Sequence, residues 1–145
     1  MADERTYPQR PYLAVSAAIF RNGQVLVVRR ARKPALNLYT LPGGVVEAGE
    51  SLADAVVREV REETALEIEP VGLAGHREVI ARDAEGGIER HFVIMSFAAR
   101  WRAGEPVLND ELDDARWLDP PELAGYRTTE GLAEIVAAAA ALLDA

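Results

Sequence analysis

Glu59, Glu62 and Glu63 stand at i, i+3 and i+4 in a stretch whose apolar residues keep helical spacing. On a helix that spacing brings three carboxylates onto one face, within a few ångströms of each other. Like charges so placed cost roughly 0.2–0.5 kcal/mol per pair. Glu62 and Glu63 also fall in the last turn, where the helix dipole disfavours anions by a further ~0.3–1 kcal/mol. Local stability alone does not select this arrangement. A hard divalent cation reverses the sign of both effects, because it takes carboxylate oxygens as ligands. Taken alone, Glu-x-x-Glu-Glu is also what a solvated helix face looks like: glutamate is a good helix former, and Arg58 and Arg61 stand by to neutralise part of the repulsion.

The flanking residues decide between these readings. Gly44, Glu50, Arg58, Glu59, Val60, Glu62, Glu63 and Leu66 resemble, at fixed spacing, the Nudix box of the MutT-type hydrolases, G-x5-E-x7-R-E-U-x-E-E-x-G-U with U a bulky aliphatic residue. Eight of the nine specified positions match. The departure is Ala65, where the box has its second glycine. Glycine after a helix end usually supplies a left-handed backbone, so alanine there costs on the order of 1 kcal/mol or forces another exit. The resemblance continues in Val28-Arg29-Arg30, in Leu41-Pro42-Gly43-Gly44, in Trp101 followed by Gly104-Glu105-Pro106, and in Glu111 preceding Trp117. It runs from about residue 12 to residue 143 and implies an α/β fold, the Nudix α/β/α sandwich around a mixed β-sheet.

The resemblance further implies roles. Glu59, Glu62 and Glu63 would hold Mg²⁺ (Mn²⁺ is the alternative), Glu50 would assist directly or through water, and a backbone carbonyl of Gly43 or Gly44 would complete the shell. The ion would neutralise a diphosphate and acidify a water able to attack phosphorus. Arg58 is expected to orient a carboxylate by hydrogen bonding. The general base is Glu59, Glu62 or a downstream acid, here Glu111, whose neighbours Asp110, Asp113 and Asp114 leave that assignment open. Arg29, Arg30, Arg32 and Lys33 cluster where the second strand ends. Alternation lets only one of Arg29 and Arg30 face the site, and Arg30 is the expected phosphate ligand. Tyr39 is a candidate for stacking on a base, and equally an exposed loop tyrosine; His91 is expected to be a strand residue with a satisfied hydrogen bond.

These side chains need a frame. Leu13–Phe20 and Gln24–Arg30 read as strands joined by Arg21-Asn22-Gly23, the strongest short hairpin signal. Residues 31–40 read as a loop and Leu41-Pro42-Gly43-Gly44 as a sharp turn. Ser51 to about Thr64 reads as a helix capped by Ser51, with Asp54 completing a capping-box pattern and Ala53, Val56, Val57, Val60 and Thr64 as its buried face. Val71–Arg82 and Ile88–Trp101 read as strands around the turn Ala84-Glu85-Gly86-Gly87. A last short strand, Ala115–Leu118, ends at Pro120-Pro121. From about Thr129 a helix carries Leu132, Ile135, Val136, Ala139, Leu142 and Leu143 on one stripe. Residues 1–11 read as a loose leader and 12–145 as a single domain.

Composition bounds the rest. The 145 residues suit one domain with a sizeable core. There is no cysteine, which excludes disulfides and thiolate metal sites, and His76 and His91 are the only two histidines. Nothing resembles a signal peptide or a membrane span, so the expected compartment is the cytoplasm. With 24 acids against 16 bases the net charge is −8, which disfavours a nucleic-acid polymer as the main partner and leaves a small nucleotide bound with the help of arginines or a cation. The expected activity is a pyrophosphohydrolase cleaving a diphosphate bond in a nucleoside triphosphate, ADP-ribose or an NDP-sugar. Arg82 stands where many ADP-ribose enzymes have a proline, and the extra N-terminal region of many of them has no counterpart, which leans toward the compact MutT type. The alternative is a non-catalytic nucleotide sensor on the same fold, disfavoured because all four box carboxylates are present. Monomer and homodimer are equally open.

Overall fold

The computed structural model describes residues 5–144. Strand β1 (Tyr12–Arg21) turns through Asn22 and Gly23, both at positive φ, into β2 (Gln24–Arg30), as the Asn-Gly pair requires. The two strands pair only at Phe20↔Val25 and Arg21↔Gln24 and then part. The chain fills the wedge between them: β3 (Tyr39–Thr40) pairs with β2, and β4 (Gly43–Val45) pairs with β1. Helix α1 (Leu52–Thr64) follows, then the long hairpin β5 (Glu67–Arg82) and β6 (Ile88–Ala103), β7 (Leu112–Leu118), a 3-10 turn (Pro120–Gly125) and α2 (Leu132–Asp144). β6 runs parallel to β1 and all other neighbours are antiparallel, giving a mixed sheet in the order β3-β2-β1-β6-β5, with β7 on the other edge of β2.

Strand alternation separates two cores. Val15, Ala17, Ile19, Leu26 and Val28 pack under α1, and Ala18, Val25 and Val27 pack under α2. Each fully buried valine or leucine contributes about 1.5–3 kcal/mol, so the two faces together hold the α/β/α sandwich. Ser51 Oγ accepts from Asp54 N–H at 3.1 Å, as the cap predicts.

Several boundaries differ from the sequence expectations. Gly43 and Gly44 lie in a strand and not in a sharp turn. β5 begins at Glu67, and passes through Pro70 because it is an edge strand with bulges, where a missing N–H is tolerated. β7 begins at Leu112, since Asp114 and Ala115 pair with Arg29 and Val28 despite the acidic, loop-like sequence. On α1 the buried alanine is Ala55, while Ala53 is exposed. On α2, Leu142 is 39% exposed, although the rest of the stripe packs inward. Of the expected leader, residues 1–4 lie outside the described residues; Tyr7 N–H donates to Glu89 O at 2.8 Å, and Tyr7 Oη donates to Asp83.

Candidate active site

The two glycines of β4 are set by close approach. A Cβ at Gly43 would lie 2.0 Å from Val15 O, and one at Gly44 would lie 2.2 Å from Glu59 Oε2. The first glycine lets β4 pair against β1; the second leaves room for a carboxylate of α1. Gly43 N–H donates to Glu63 Oε1 at 2.9 Å, tying the strand to the helix.

The three helix glutamates do not share one solvated face. Glu63 belongs to the buried stripe with Val56 and Val60 and is 3% exposed, Glu59 is mostly covered, and the Glu62 side chain is open to solvent. Burial pushes the Glu63 carboxyl up to about 8, against the opposing pull of the Gly43 N–H. Burial also raises Glu59, opposed by Arg58.

Arg58 stands among these groups. Its Nε and Nη2 donate to Glu50 Oε2 and Oε1 at 2.7 and 2.8 Å, a bidentate pair. Its Nη1 donates to Glu59 Oε1 at 2.9 Å and to Glu62 Oε2 at 3.3 Å, and Nη2 also donates to Val45 O at 3.1 Å. The guanidinium holds Glu50 down to about 2, helped by the Glu47 N–H, and Arg58 itself is raised by its carboxylate partners. Arg58 therefore touches three of the four box carboxylates.

Among the described residues, no three His, Cys, Asp or Glu side chains already form a metal-ligating group. Arg58 Nη1 bridges Glu59 and Glu62, where the sequence places an ion. The donor chemistry nonetheless suits a hard divalent cation: every candidate ligand is a carboxylate or carbonyl oxygen, and Glu63 is buried with one N–H partner. Both histidines sit on the β5–β6 hairpin.

β2 alternation separates the two arginines. Arg29 pairs with Asp113 at 2.6 Å and lies over the Tyr39 ring, on the α2 side. Arg30 points to the α1 side, 3.9 Å from Glu111, and its charge lowers the Glu63 carboxyl while Glu111 raises it. The acidic stretch is sorted the same way. Asp113 and Asp114 are engaged by Arg29, Tyr39 and Arg116, whereas Glu111 faces Arg30 and Glu63. Tyr39 is 7% exposed, donates through Oη to Asp114, and meets Tyr126 edge-on. Its ring is enclosed by the α2 core, so base stacking on Tyr39 is a correction to the sequence expectation.

At the C-terminal end of α1 the first of the two outcomes expected for Ala65 holds, and the loop beyond it adds a feature not expected from the sequence. Ala65 takes the left-handed conformation itself, at φ 63°, with its N–H on Arg61 O at 2.9 Å. The carbonyls of Thr64 and Glu63 accept from Val107 N–H at 2.9 Å and Asn109 N–H at 3.2 Å. The loop before β7 therefore caps the helix that carries the glutamates. Asn109-Asp110, a pair of turn-forming types ahead of Glu111, was the available signal.

The chain is similar to known proteins. A family profile described as NUDIX domain matches residues 10–139. Over 109 residues the chain is 33% identical to an ADP-ribose pyrophosphatase of Methanocaldococcus jannaschii, covering 75% of this chain and 62% of that one. Over 142 residues it is 30% identical to the NAD-capped RNA hydrolase NudC of Pseudomonas putida, covering 94% of this chain and 48% of that one. It thus spans about half to three fifths of the length of these relatives. A MutT NUDIX hydrolase of Burkholderia pseudomallei superposes with a TM-score of 0.74 at 28% identity, covering 89% of this chain and 98% of that one. Members of this family generally use divalent metals, in keeping with the oxygen-only donor set. No described helix is long and apolar enough to cross a membrane. The profile covers most of the chain, and the β4–α1 unit carries the family's box in three dimensions: this protein belongs to the Nudix family.

Proposed function

We propose that the chain is a Mg²⁺-dependent pyrophosphohydrolase that cleaves the diphosphate bond of a nucleoside diphosphate linked to a second moiety, such as ADP-ribose or an NDP-sugar. The observation that carries this reading is Glu63: a carboxyl buried to 3% exposure and raised to about 8, beside Glu59 and under a Gly-Gly strand. A buried acid so poorly compensated is unfavourable for folding and gains by taking a cation. Glu59, Glu62 and Glu63 would hold the ion, with Glu50 and a carbonyl of Gly43 or Gly44 assisting. Bound there, the ion supplies charge neutralisation of the diphosphate and acidification of water.

The protein's own groups do the rest. Arg58 holds Glu50 and steadies Glu59. Arg30 takes a phosphate oxygen from the α1 side of β2. Glu111 accepts the proton of the attacking water as its oxygen bonds to phosphorus and the bridging P–O bond breaks. For the substrate class, the relatives named for ADP-ribose and for an NAD cap, both two-part diphosphates, weigh more than the arginine at position 82. The net charge of −8 disfavours a long polyanion.

Phosphate, pyrophosphate and nucleotide release is measured with and without Mg²⁺ from nucleoside triphosphates, ADP-ribose, NDP-sugars and dinucleoside polyphosphates. Metal-dependent turnover of a two-part diphosphate, lost in a Glu62→Gln, Glu63→Gln double variant, is expected. Binding of these nucleotides without turnover of any would overturn the reading in favour of a sensor.

A further inference from the structure

After β6 the chain must return to β7 past the end of α1, and it does so by filling the helix's open carbonyls. Val107 N–H takes Thr64 O and Asn109 N–H takes Glu63 O. The second of these contacts lands on the backbone of the buried glutamate itself. Asn109 then works in the other direction. Its Oδ1 accepts the Glu111 N–H at 3.0 Å, and its carbonyl accepts the Leu112 N–H at 3.3 Å, which starts β7. Glu111 O accepts from Ala31 N–H at 2.8 Å, just after Arg30. The Glu111 backbone is therefore held on one side by the Asn109 amide and on the other by the end of β2.

Without the Asn109 side chain, Glu111 N–H has no acceptor in the fold, and the loop keeps only its backbone attachment to α1. Asp110 is exposed, and the carboxylates of Asp113 and Asp114 are committed to Arg29, Arg116 and Tyr39. Placing an acid of this loop beside Glu63 and Arg30 thus depends on the turn at residues 109–111. Asparagine suits it because its short amide accepts a hydrogen bond two residues ahead.

We propose that Asn109 is a positioning residue: by joining the α1 carboxyl end to the Glu111 amide, it sets the Glu111 carboxylate against Glu63 and Arg30. This rests on the reading of Glu111 as the proton acceptor given above. Such a residue touches no substrate. Its loss displaces the acid without removing it, and a displacement of about 1 Å lowers a rate by up to ~100-fold.

The test compares Asn109→Ala, Asn109→Asp, Glu111→Gln and the Asn109→Ala, Glu111→Gln double variant with the wild type. Amide exchange comes first, because it needs neither metal nor turnover. In Asn109→Ala the Glu111 amide should exchange about tenfold faster or more, with Val107 and residue 109 unchanged, and Asn109→Asp, which keeps the acceptor, should behave as wild type. With the best diphosphate substrate, Asn109→Ala should lower kcat about tenfold or more with little change in KM, and Asn109→Asp should restore it. The double variant should be no slower than Glu111→Gln alone, because an acid already removed has no position to lose. An unchanged Glu111 amide, multiplied penalties in the double variant, or an Asn109→Asp protein as slow as Asn109→Ala would each overturn the proposal. So would full activity in Glu111→Gln. A wild type that turns over nothing refutes the hydrolase reading instead, and the exchange data still decide whether Asn109 holds Glu111.

Discussion

Replacing Glu63 by glutamine should make the metal-free protein more stable, and by an amount that depends on pH. In the folded chain the Glu63 carboxyl titrates at about 8, against an ordinary value of 4.5. Below pH 4.5 both folded and unfolded states are protonated and no penalty exists. As pH rises from there toward 8, the unfolded chain loses this proton and the folded one keeps it, so stability falls with pH and levels off above 8. At roughly 1.4 kcal/mol per pH unit, the loss is on the order of 3 kcal/mol at pH 7 and somewhat larger at pH 8. Glutamine retains an oxygen for the Gly43 N–H and has no charge to bury. Urea unfolding in chelator, from pH 5 to pH 9, should therefore show wild type and Glu63→Gln converging at the acid end. They should diverge to about 3 kcal/mol at pH 7 and about 4 kcal/mol at pH 8, while the variant loses activity. Saturating Mg²⁺ should narrow the gap by stabilising only the wild type. A difference independent of pH, or a variant less stable at pH 8, would refute the argument that Glu63 is destabilised by its burial.

Three further outcomes follow from the local geometry. Ala65→Gly should raise stability by about 1 kcal/mol, seen as a melting temperature about 3 °C higher, because it relieves the left-handed alanine at φ 63°. Gly43→Ala and Gly44→Ala should differ in kind. The first drives a methyl into the Val15 carbonyl, which is backbone, and should destabilise by about 1–3 kcal/mol or more in thermal melts. The second has the Glu59 carboxylate, a side chain, as its three nearest atoms, and should leave the fold nearly intact while weakening divalent-cation binding measured by calorimetry. Arg30→Met should raise KM for a diphosphate substrate about tenfold or more, whereas Arg29→Met, which loses Asp113 and the Tyr39 ring on the far face, should change KM little in the same assay.

The sequence made the sheet legible wherever the signal was local. Alternation put Leu26 and Val28 on one face and Val25 and Val27 on the other, Asn22-Gly23 made the hairpin, and Ser51 opened the helix. The same alternation put Arg30, and not Arg29, on the side of the glutamates. Failures came where a distant partner decided the outcome. Tyr39 is taken inward by Asp114, 75 residues away. Gly43-Gly44 carries the composition of a turn, but its glycines answer to Val15 O and Glu59, which no local signal reveals. Ala53 and Ala55 are chemically identical, and only packing on the sheet chooses between them. That choice of phase also decides the chemistry, because it carries Glu63 inward and leaves Glu62 in water.

The repulsion expected among the three glutamates has therefore been handled in two ways within one site. The Glu62 side chain is open to solvent, and the Arg58 guanidinium pairs closely with Glu50 and Glu59 and more distantly with Glu62. Glu63 receives neither treatment: Arg58 makes no bond to it, and Arg30 acts on it only at longer range. Arg58 thus satisfies most of the cluster without neutralising its innermost member. That division matters for loading a cation. If Arg58 paired fully with Glu63 as well, an incoming ion would compete with a complete buried salt bridge, whose disruption costs several kcal/mol. On the proposed metal reading, an ion would gain most from Glu63, the carboxylate with the least compensation in the empty site. Of the two Nη1 contacts, the one with Glu62 is on an open side chain and correspondingly weak, while the one with Glu59 is mostly covered. The bidentate hold of Arg58 on Glu50 ties the loop between β4 and α1 to the helix. If the proposed cation binds here, Arg58 would be a counter-ion for the empty state and a brace for the loaded one.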